Sequence, residues 1–475
     1  MPPSENVLDP TETPAVAPVP RPIDQALRYL SMSANHGRLW MGVAAALALT
    51  GKRGRRAAIR GLVTLGASSF VSNAVVKPVV GRRRPDIERT AFGRRVDKAP
   101  WTSSFPSGHA ASAAAFATGA SMEFPAASAL LVPLAAAVGY SRVHVGVHHR
   151  SDVWAGAAIG VGMALLGKGL WPVKPWGPAL MAAGDAPALL GGAGLTVVVN
   201  HRSGSSDGAA DSIGSALPDA KVVQWDPATD LAGLIGDGMV ALGVAGGDGT
   251  VASVAQVAHH RRLPLAVFPA GTLNHFAKAL GLDKDADTVA AVESGNAGMV
   301  DLATIDGTAF LNTASIGGYP EMVNRRDRYS HRLGKWPATA YALVRTLRHG
   351  KPIDLEINGI TVPVWVVFIG NGRYIPRGLA PSWREQLAGG VLDVQYLRAD
   401  RRLSRSRAVL ASLIGIVERT SVYGSLESGR VSIRSHSGPQ PAAHDGEVSD
   451  PLESVELAID DRRLTVYRAA DPRQS

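Results

Sequence analysis

The chain has 475 residues, of which 46% are hydrophobic and only 19% charged, with a net charge of +9 and a mean hydropathy of +0.06. That is too long for one ordinary core, so two or three domains are expected, and too apolar for an all-soluble enzyme, so part of it is expected in a membrane. It has no cysteine, which excludes disulfides, thiolate catalysis and cysteine-built zinc sites.

Residues 1–22 are rich in Pro, Glu and Thr, without a basic start and apolar core, and read as a disordered tail rather than a signal peptide. An amphipathic stretch follows at 23–39, expected to lie on a membrane surface. Apolar stretches at 39–51, 61–80, 110–122, 126–140 and 153–170 give five expected membrane spans, most of them reaching the ~20 residues a span needs only with their flanks. Ala- and Gly-rich faces, such as that of residues 110–120, suit close helix packing inside a bilayer.

The positive charge lies in blocks beside these stretches: Lys52, Arg53, Arg55, Arg56 and Arg60 in an expected loop, then Arg82, Arg83 and Arg84. Blocks flanking apolar spans suit lipid head groups and phosphate; they are not interleaved with aromatics as a nucleic-acid surface would be, so no nucleic-acid partner is expected. The transmembrane all-α bundle is assigned to residues 23–171 and a Pro/Gly/Ala-rich linker to 172–193. Apolar runs alternating with helical stretches then give an α/β lobe at 194–306, and strand-like segments a mainly β lobe, a sandwich, at 307–470.

Three motifs stand where the apolar spans end, and each supplies something phosphoryl transfer needs. Lys77 and Arg84, seven apart and followed by Pro85, can neutralise phosphate oxygens. In "TSSFPSGHAAS", Pro106 suits a first helical turn, so the free N–H groups near Ser107 and Gly108 point at an anion, with His109 at the helix start to protonate a leaving group. In "SRVHVGVHHRSD", Arg142 stands six residues before His148, and Asp152 four after it. A carboxylate at that spacing can fix the imidazole's tautomer, and a neutral, oriented imidazole is a competent nucleophile toward phosphorus without a metal.

These residues resemble the type 2 phosphatidic acid phosphatase family over roughly residues 26–171. The resemblance implies a phosphohistidine mechanism with His148 as nucleophile, Asp152 as its orienter and His109 as general acid. Lys77, Arg84, Ser107, Gly108 and Arg142 would hold the phosphoryl group. Arg82 and Arg83 read as solvated or head-group contacts, and His144, His149 and Arg150 as structural or surface residues.

Further on, "GVAGGDGTVASVA" places Gly246, Gly247, Asp248, Gly249 and Thr250 between an apolar strand and a helix, where glycines let backbone approach phosphates. "FPAGTLNHFAKALG" supplies Gly271, Thr272 and Asn274 at the next such junction, and Asp445-Gly446-Glu447 offers paired acids for magnesium or for a hydroxyl proton. Together these resemble the diacylglycerol kinase catalytic domain family, which includes sphingosine kinases, over roughly 195–468.

By that resemblance Asn200, Ser203, Gly246, Gly247, Gly249, Thr250, Gly271, Thr272 and Asn274 form the ATP site. Glu447 or Asp248 is the general base, with Glu447 favoured, and Asp445 a metal ligand. Three departures bear on the metal and on turnover: His201 where the family usually has proline, His275 where many members have aspartate, and Gly389-Gly390 before Asp393, which reads as a turn residue. Asn371 and Pro381 read as loop residues near the cleft, and the basic run at 325–335 as a solvated loop or a membrane-docking one.

The expectation is a bifunctional, multi-pass cell-membrane enzyme acting on membrane lipids and lipid phosphates, with ATP and Mg2+ serving the kinase and no cofactor the phosphatase. The kinase would be cytoplasmic and the phosphatase site at the outer face. Two alternatives stay open: a kinase-like half that senses lipid without turnover, and a soluble-substrate kinase of the NAD kinase type. Oligomeric state is left open.

Overall fold

The computed structural model describes residues 21–85, 102–175, 177–200, 208–236, 238–318, 328–329, 341–342, 344–348, 350–377, 383–413 and 416–470. They form two compact units, Met1–Val173 and Lys174–Ser475.

The first unit is all helical: α1 (Arg21–Ser33), α2 (Arg38–Leu49), α3 (Lys52–Phe70), a short α4 (Lys77–Val80), α5 (Gly108–Glu123), α6 (Ser128–His144) and α7 (Arg150–Leu170). Small residues let α5 and α7 meet backbone to backbone. A Cβ on Gly156 or Gly160 of α7 would collide with the carbonyl oxygens of Ser107 and Ala111. Among the described residues, three stretches are long and apolar enough to cross a membrane: Lys52–Val80, Pro125–His144 and Arg150–Leu170. The spans expected at 39–51 and 110–122 fold as α2 and α5, of 12 and 16 residues, shorter than the ~20 that a bilayer asks of a helix.

The basic block expected as a loop instead opens α3. Two of its arginines meet one buried acid: Glu123 Oε1 accepts from Arg60 Nε at 2.8 Å, and Oε2 pairs with Arg56 at 3.0 Å. Between α3 and α4 the chain makes a π-helical turn, Val71–Val76, which redirects the side chains that follow it. The amphipathic stretch at 23–39 does not form one surface helix. α1 breaks from α2 at His36 and Gly37, both left-handed with φ of 55° and 73°, and packs against α6 with polar side chains inward.

In the second unit, β1 (Leu195–Asn200), β2 (Lys221–Trp225), β3 (Ala241–Ala245), β4 (Leu265–Phe268) and β5 (Ala297–Val300) alternate with α8 (Ala209–Ala216), α9 (Leu231–Leu234), α10 (Asp248–Arg261), α11 (His275–Ala279) and α12 (Asp285–Ser294). β1 to β4 pair in parallel in the order β2-β1-β3-β4, and the continuous apolar runs of β1, β3 and β4 reflect burial on both faces, while β2 is the exposed edge. Eleven of the remaining strands hydrogen-bond as one antiparallel sheet built around Ile360–Asn371, closing on Leu355, Val364, Val367, Ile369, Val394 and Leu457, while Tyr374–Ile375 and Trp383–Arg384 pair by themselves.

Two boundaries differ from the expected ones. The second sheet already begins at Ala303–Ile305, and the last strand, Leu464–Tyr467, returns to the first sheet between β4 and β5. The expected linker at 172–193 is a strap from Ala179 onward: Ala179 N–H donates to Ala279 at 2.7 Å, Ala182 exchanges backbone bonds with Met299, and the Tyr467 hydroxyl donates to the Pro187 carbonyl at 2.8 Å. Its Gly and Ala content gives the backbone access, since a Cβ on Gly184 would run into Met299.

Candidate active sites

In the first unit α4 and the segment after it, the starts of α5 and α7 and the end of α6 bring the motif residues to one end of the bundle. The charges of Lys77, Arg84 and Arg142 act on one another and on both His109 and His148. His148 lies buried in the turn between α6 and α7. Its Nε2 is 3.4 Å from an Arg84 guanidinium nitrogen, and its Nδ1 is 3.7 Å from Asp152 Oδ2.

A guanidinium can only donate, so the nitrogen facing it carries the lone pair and the proton sits on Nδ1, toward the carboxylate. Burial first, then the charges of Arg84 and Arg142, push the imidazole down to about 3 against the pull of Asp152, so it is neutral at physiological pH. Arg84 is itself fixed by backbone, donating to Thr102 at 2.9 Å and Val147 at 2.8 Å.

Asp152 is held on every side. Oδ2 accepts from the His149 N–H at 2.9 Å, which caps α7, and from the Ser104 hydroxyl; Oδ1 accepts from Arg82 at 2.9 Å. Ser107 caps α5 and donates its own N–H to the Asp152 carbonyl at 2.9 Å. Lys77 Nζ donates to Asn73 Oδ1 at 2.8 Å, and that amide presses on Gly108, where a Cβ would come within 3.0 Å of it.

His109 Nε2 is 2.8 Å from Asn35 Oδ1, and Arg142 donates to the carbonyl oxygen of Ser31 at 3.3 Å and to its hydroxyl. Five contributors were missed in the sequence: Arg82, Ser104, Asn73, Ser31 and Asn35. Ser104 lies inside the motif string and Asn73 one helical turn before Lys77, so both had a signal. Arg82 was read as a head-group contact, and Ser31 and Asn35 belong to a helix expected on the membrane surface.

In the second unit the two glycine turns meet. A Cβ on Gly271 would fall 2.5 Å from the Gly247 Cα, and one on Gly246 would strike the Thr250 side chain. Thr250 Oγ1 accepts from Asn200 Nδ2 at 2.8 Å, joining the end of β1 to the start of α10. Asn274 Oδ1 accepts from the Gly271 N–H at 2.8 Å, and Thr272 is exposed on the same turn. Ser203, with His201 and Arg202, lies outside the described residues, as do Pro381 and most of 325–335.

Asp248 accepts from the N–H groups of His275 and Phe276, both at 3.1 Å, and from Asn312 Nδ2 at 3.2 Å. His275 therefore contributes its backbone here. Asn312 in turn accepts from Arg384 at 3.2 Å, so a chain Arg384–Asn312–Asp248 ties the α/β turn to the β lobe. The pair Asn312 and Arg384 was also missed, because neither lies in a glycine motif.

Asp445, expected as a metal ligand, is engaged by the β lobe. Both its oxygens are taken by backbone: Oδ2 by the Leu311 N–H at 2.6 Å, and Oδ1 by those of Asn312 and Thr313 at 2.9 and 3.0 Å. Burial lifts it to about 6 against these three bonds. Asp393, expected in a turn, lies buried in the strand Leu392–Arg398 and accepts from Gln395 at 2.7 Å. Asn371, expected in a loop, ends the strand Ile360–Asn371 and is buried, donating to the Asp301 carbonyl at 3.0 Å.

Glu447, by contrast, lays its carboxylate over Gly249 at the nucleotide turn. Among the described residues no group of three or more His, Asp or Glu could form a protein-built metal cage. Carboxylates at the turn are then Asp248 and Glu447, a set that fits a magnesium ion arriving on the phosphates of ATP, since Mg2+ keeps waters and needs only one or two protein carboxylates.

A family model described as "PAP2 superfamily" matches residues 57–174, and one described as "Diacylglycerol kinase catalytic domain" matches residues 194–305. Over 140 residues the chain is 37% identical to the "Decaprenylphosphoryl-5-phosphoribose phosphatase" of Mycobacterium tuberculosis, covering 28% of this chain and 72% of that protein. It is 28% identical over 243 residues to the "Diacylglycerol kinase" of the same organism, covering 49% of this chain and 72% of the relative. With the "Probable lipid kinase YegS-like" of Pseudomonas aeruginosa the identity is 30% over 169 residues, covering 34% of this chain and spanning 55% of that relative's length.

Proposed function

The chain belongs to the PAP2 superfamily through its first unit and carries a diacylglycerol kinase catalytic domain in its second, and on that premise we propose a bifunctional membrane enzyme, a phosphohistidine lipid-phosphate phosphatase joined to an ATP-dependent lipid kinase. The observation that carries the phosphatase half is the orientation of His148, with its Nε2 lone pair among Arg84, Lys77 and Arg142 and its Nδ1–H toward an anchored Asp152.

In the first step His109, whose pKa burial and then the charge of Arg142 lower to about 3 before substrate binds, takes up a proton as the phosphate dianion binds. Nε2 of His148 then bonds to phosphorus as the bond to the lipid oxygen breaks, and the His109 imidazolium gives that proton to the leaving oxygen. Lys77, Arg84, Arg142 and the N–H groups at the α5 start balance charge on the phosphoryl oxygens, and Asp152 balances the imidazolium. Water then attacks the phosphohistidine, gives its proton to His109, and releases inorganic phosphate with neutral His148. These cations do the work that a metal does in other phosphatases, so hydrolysis proceeds in a chelator.

In the kinase half the glycine turns around Gly247 and Gly271 receive the ATP phosphates. Magnesium, held with them by Asp248 and Glu447, would neutralise their charge. Glu447 takes the proton from a lipid hydroxyl, while Asp248, with three donors on its carboxylate, positions the turn. A lipid alcohol such as diacylglycerol fits this half. For the phosphatase, the mycobacterial relative favours a lipid-linked sugar phosphate over phosphatidic acid or a prenyl diphosphate.

The phosphatase residues gather at the N-terminal end of α7, and the chain leaves from its other end after 21 residues, roughly 30 Å away along the axis. That length supports an outer-face phosphatase and a cytoplasmic kinase in a multi-pass protein.

The test is the purified protein with a total lipid extract and labelled ATP, beside His148→Ala and Asp248→Asn. Each variant should lose one activity and keep the other. Hydrolysis surviving in His148→Ala, or lipid phosphorylation in Asp248→Asn, overturns the corresponding half.

A further inference from the structure

α1 is an inverted amphipathic helix. Asp24, Ser31 and Asn35, seven and four residues apart, lie on one face of the segment, and that face meets the phosphatase site rather than water. Asp24 Oδ1 is 2.8 Å from His144 Nε2; the Ser31 carbonyl and hydroxyl accept from Arg142; and Asn35 Oδ1 lies 2.8 Å from His109 Nε2. Ile23 and Tyr29 point the other way and are 49% and 71% exposed, an apolar face suited to lipid.

The acceptors on this stripe sit on groups assigned to the substrate: Arg142, which would hold phosphoryl oxygens, and His109, which would protonate the leaving group. Three neutral oxygens, two from Ser31 on α1 and one from Asn35 in the turn that follows it, thus take the positions of acceptors that a phosphate ester would bring. They satisfy the site incompletely, since Arg142 Nε is buried with no acceptor among the described residues. A guanidinium gains more from a phosphate oxygen than from a neutral carbonyl or hydroxyl. The segment also ends at a hinge: His36 and Gly37 are both left-handed, and a Cβ on Gly37 would meet nothing within 4 Å.

We propose that α1 is a lipid-facing gate of the phosphatase site, whose Ser31 and Asn35 occupy Arg142 and His109 until the phosphate of a membrane lipid displaces them. The inference rests on the assignment of Arg142 and His109 to the phosphatase reaction. Closure lowers the fraction of enzyme able to bind, so the apparent affinity is the intrinsic one divided by that penalty. Substrate approaches along the apolar face of α1, and its head group replaces the polar stripe as the helix swings about residues 36 and 37.

Because the chain contains no cysteine, Asp24→Cys with His144→Cys provides a single addressable thiol pair outside the reacting groups. A bifunctional, reducible methanethiosulfonate linker across the pair should cut lipid-phosphate hydrolysis about tenfold or more, and reductant should restore it. Full activity in the linked protein overturns the gate. Orthovanadate, a phosphate mimic, should slow linking several-fold by opening α1, and an unchanged linking rate overturns the gate too. This second measurement needs no turnover, so a protein that hydrolyses no lipid phosphate would sink the phosphatase reading while the linking rate still decides the gate. Ser31→Ala should lower KM about threefold at unchanged kcat, because the closed state loses an acceptor. A structural role for Ser31 would instead raise KM or lower kcat, and would count against the gate.

Discussion

In the first unit Asp152 and His109 are held mainly by other side chains, Asp152 by Arg82 and Ser104 beside one amide and His109 by Asn35, whereas in the second the acids are held mainly by backbone, Asp445 by three amides and Asp248 by two beside the Asn312 side chain. The first arrangement is built from residues at helix ends, so single substitutions can dissect it with little effect on the bundle. The second makes catalytic geometry inseparable from lobe folding. A substitution in the phosphatase site should therefore read out as lost rate, and one at the kinase acids as lost rate and lost stability together.

The sharpest break in this comparison is His148→Ala. It removes the proposed nucleophile from a pocket whose other members are held independently of it, so hydrolysis should fall about a thousandfold or more with little change in thermal stability. Lipid phosphorylation by the same preparation should be unchanged. A parallel fall in both rates would mean that the two units do not act separately.

Asp445→Asn probes the other side. An amide keeps one acceptor oxygen but turns an NH2 toward a backbone N–H, stranding at least one amide at a cost of ~1–3 kcal/mol. Melting of the second unit should drop by about 5 °C, with kinase activity falling alongside. Excess Mg2+ should not restore it. Unchanged melting, with activity recovered by added Mg2+, would return Asp445 to the metal.

How far the sequence could be read follows the same division. The phosphatase motifs are local strings on helix ends, and the structure brings Lys77, Arg84, Ser107, Gly108, His109, Arg142, His148 and Asp152 to one place. What the strings could not carry was the context of Asp152, because an exposed arginine in a basic block looks the same whether it meets a head group or a carboxylate. The face of α1 was equally silent: an amphipathic pattern fixes that a helix has two sides, not which side meets protein.

In the second unit the parallel strands were legible from their apolar runs. The return of Leu464–Tyr467 into the first sheet was not, since pairing over more than 150 residues of chain leaves no local pattern. The fate of Asp445 depended on a left-handed residue, φ 44°, that aims its carboxylate at the loop from Leu311 to Thr313.

A smaller effect is expected from Arg82→Ala. Arg82 donates to Asp152 at 2.9 Å but is 40% exposed, so solvent screens the pair. Ser104 and the His149 amide still hold Oδ2, and kcat should fall only about tenfold, with KM nearly constant. Arg82→Lys should recover part of the loss, which a purely steric role would not predict.

The smallest effect is the one that tests the proton placement on His148. Burial, Arg84 and Arg142 lower its pKa to about 3, and the proposed nucleophile is the neutral form, so it is lost only as pH falls through that value. An ordinary imidazole with a pKa of ~6.5 would be only ~3% neutral at pH 5. The His148 contribution to kcat/KM should therefore change by no more than about twofold between pH 7 and pH 5, measured with a substrate whose own phosphate ionisation is corrected for. Arg82→Ala should move any acid limb upward, because an Asp152 relieved of its guanidinium pulls harder on the imidazolium. A limb near pH 6.5 in the unmodified protein would mean that His148 is protonated where it must be nucleophilic. The lone pair assigned to Nε2 from its contact with Arg84 would then be wrong, and with it the direction of attack.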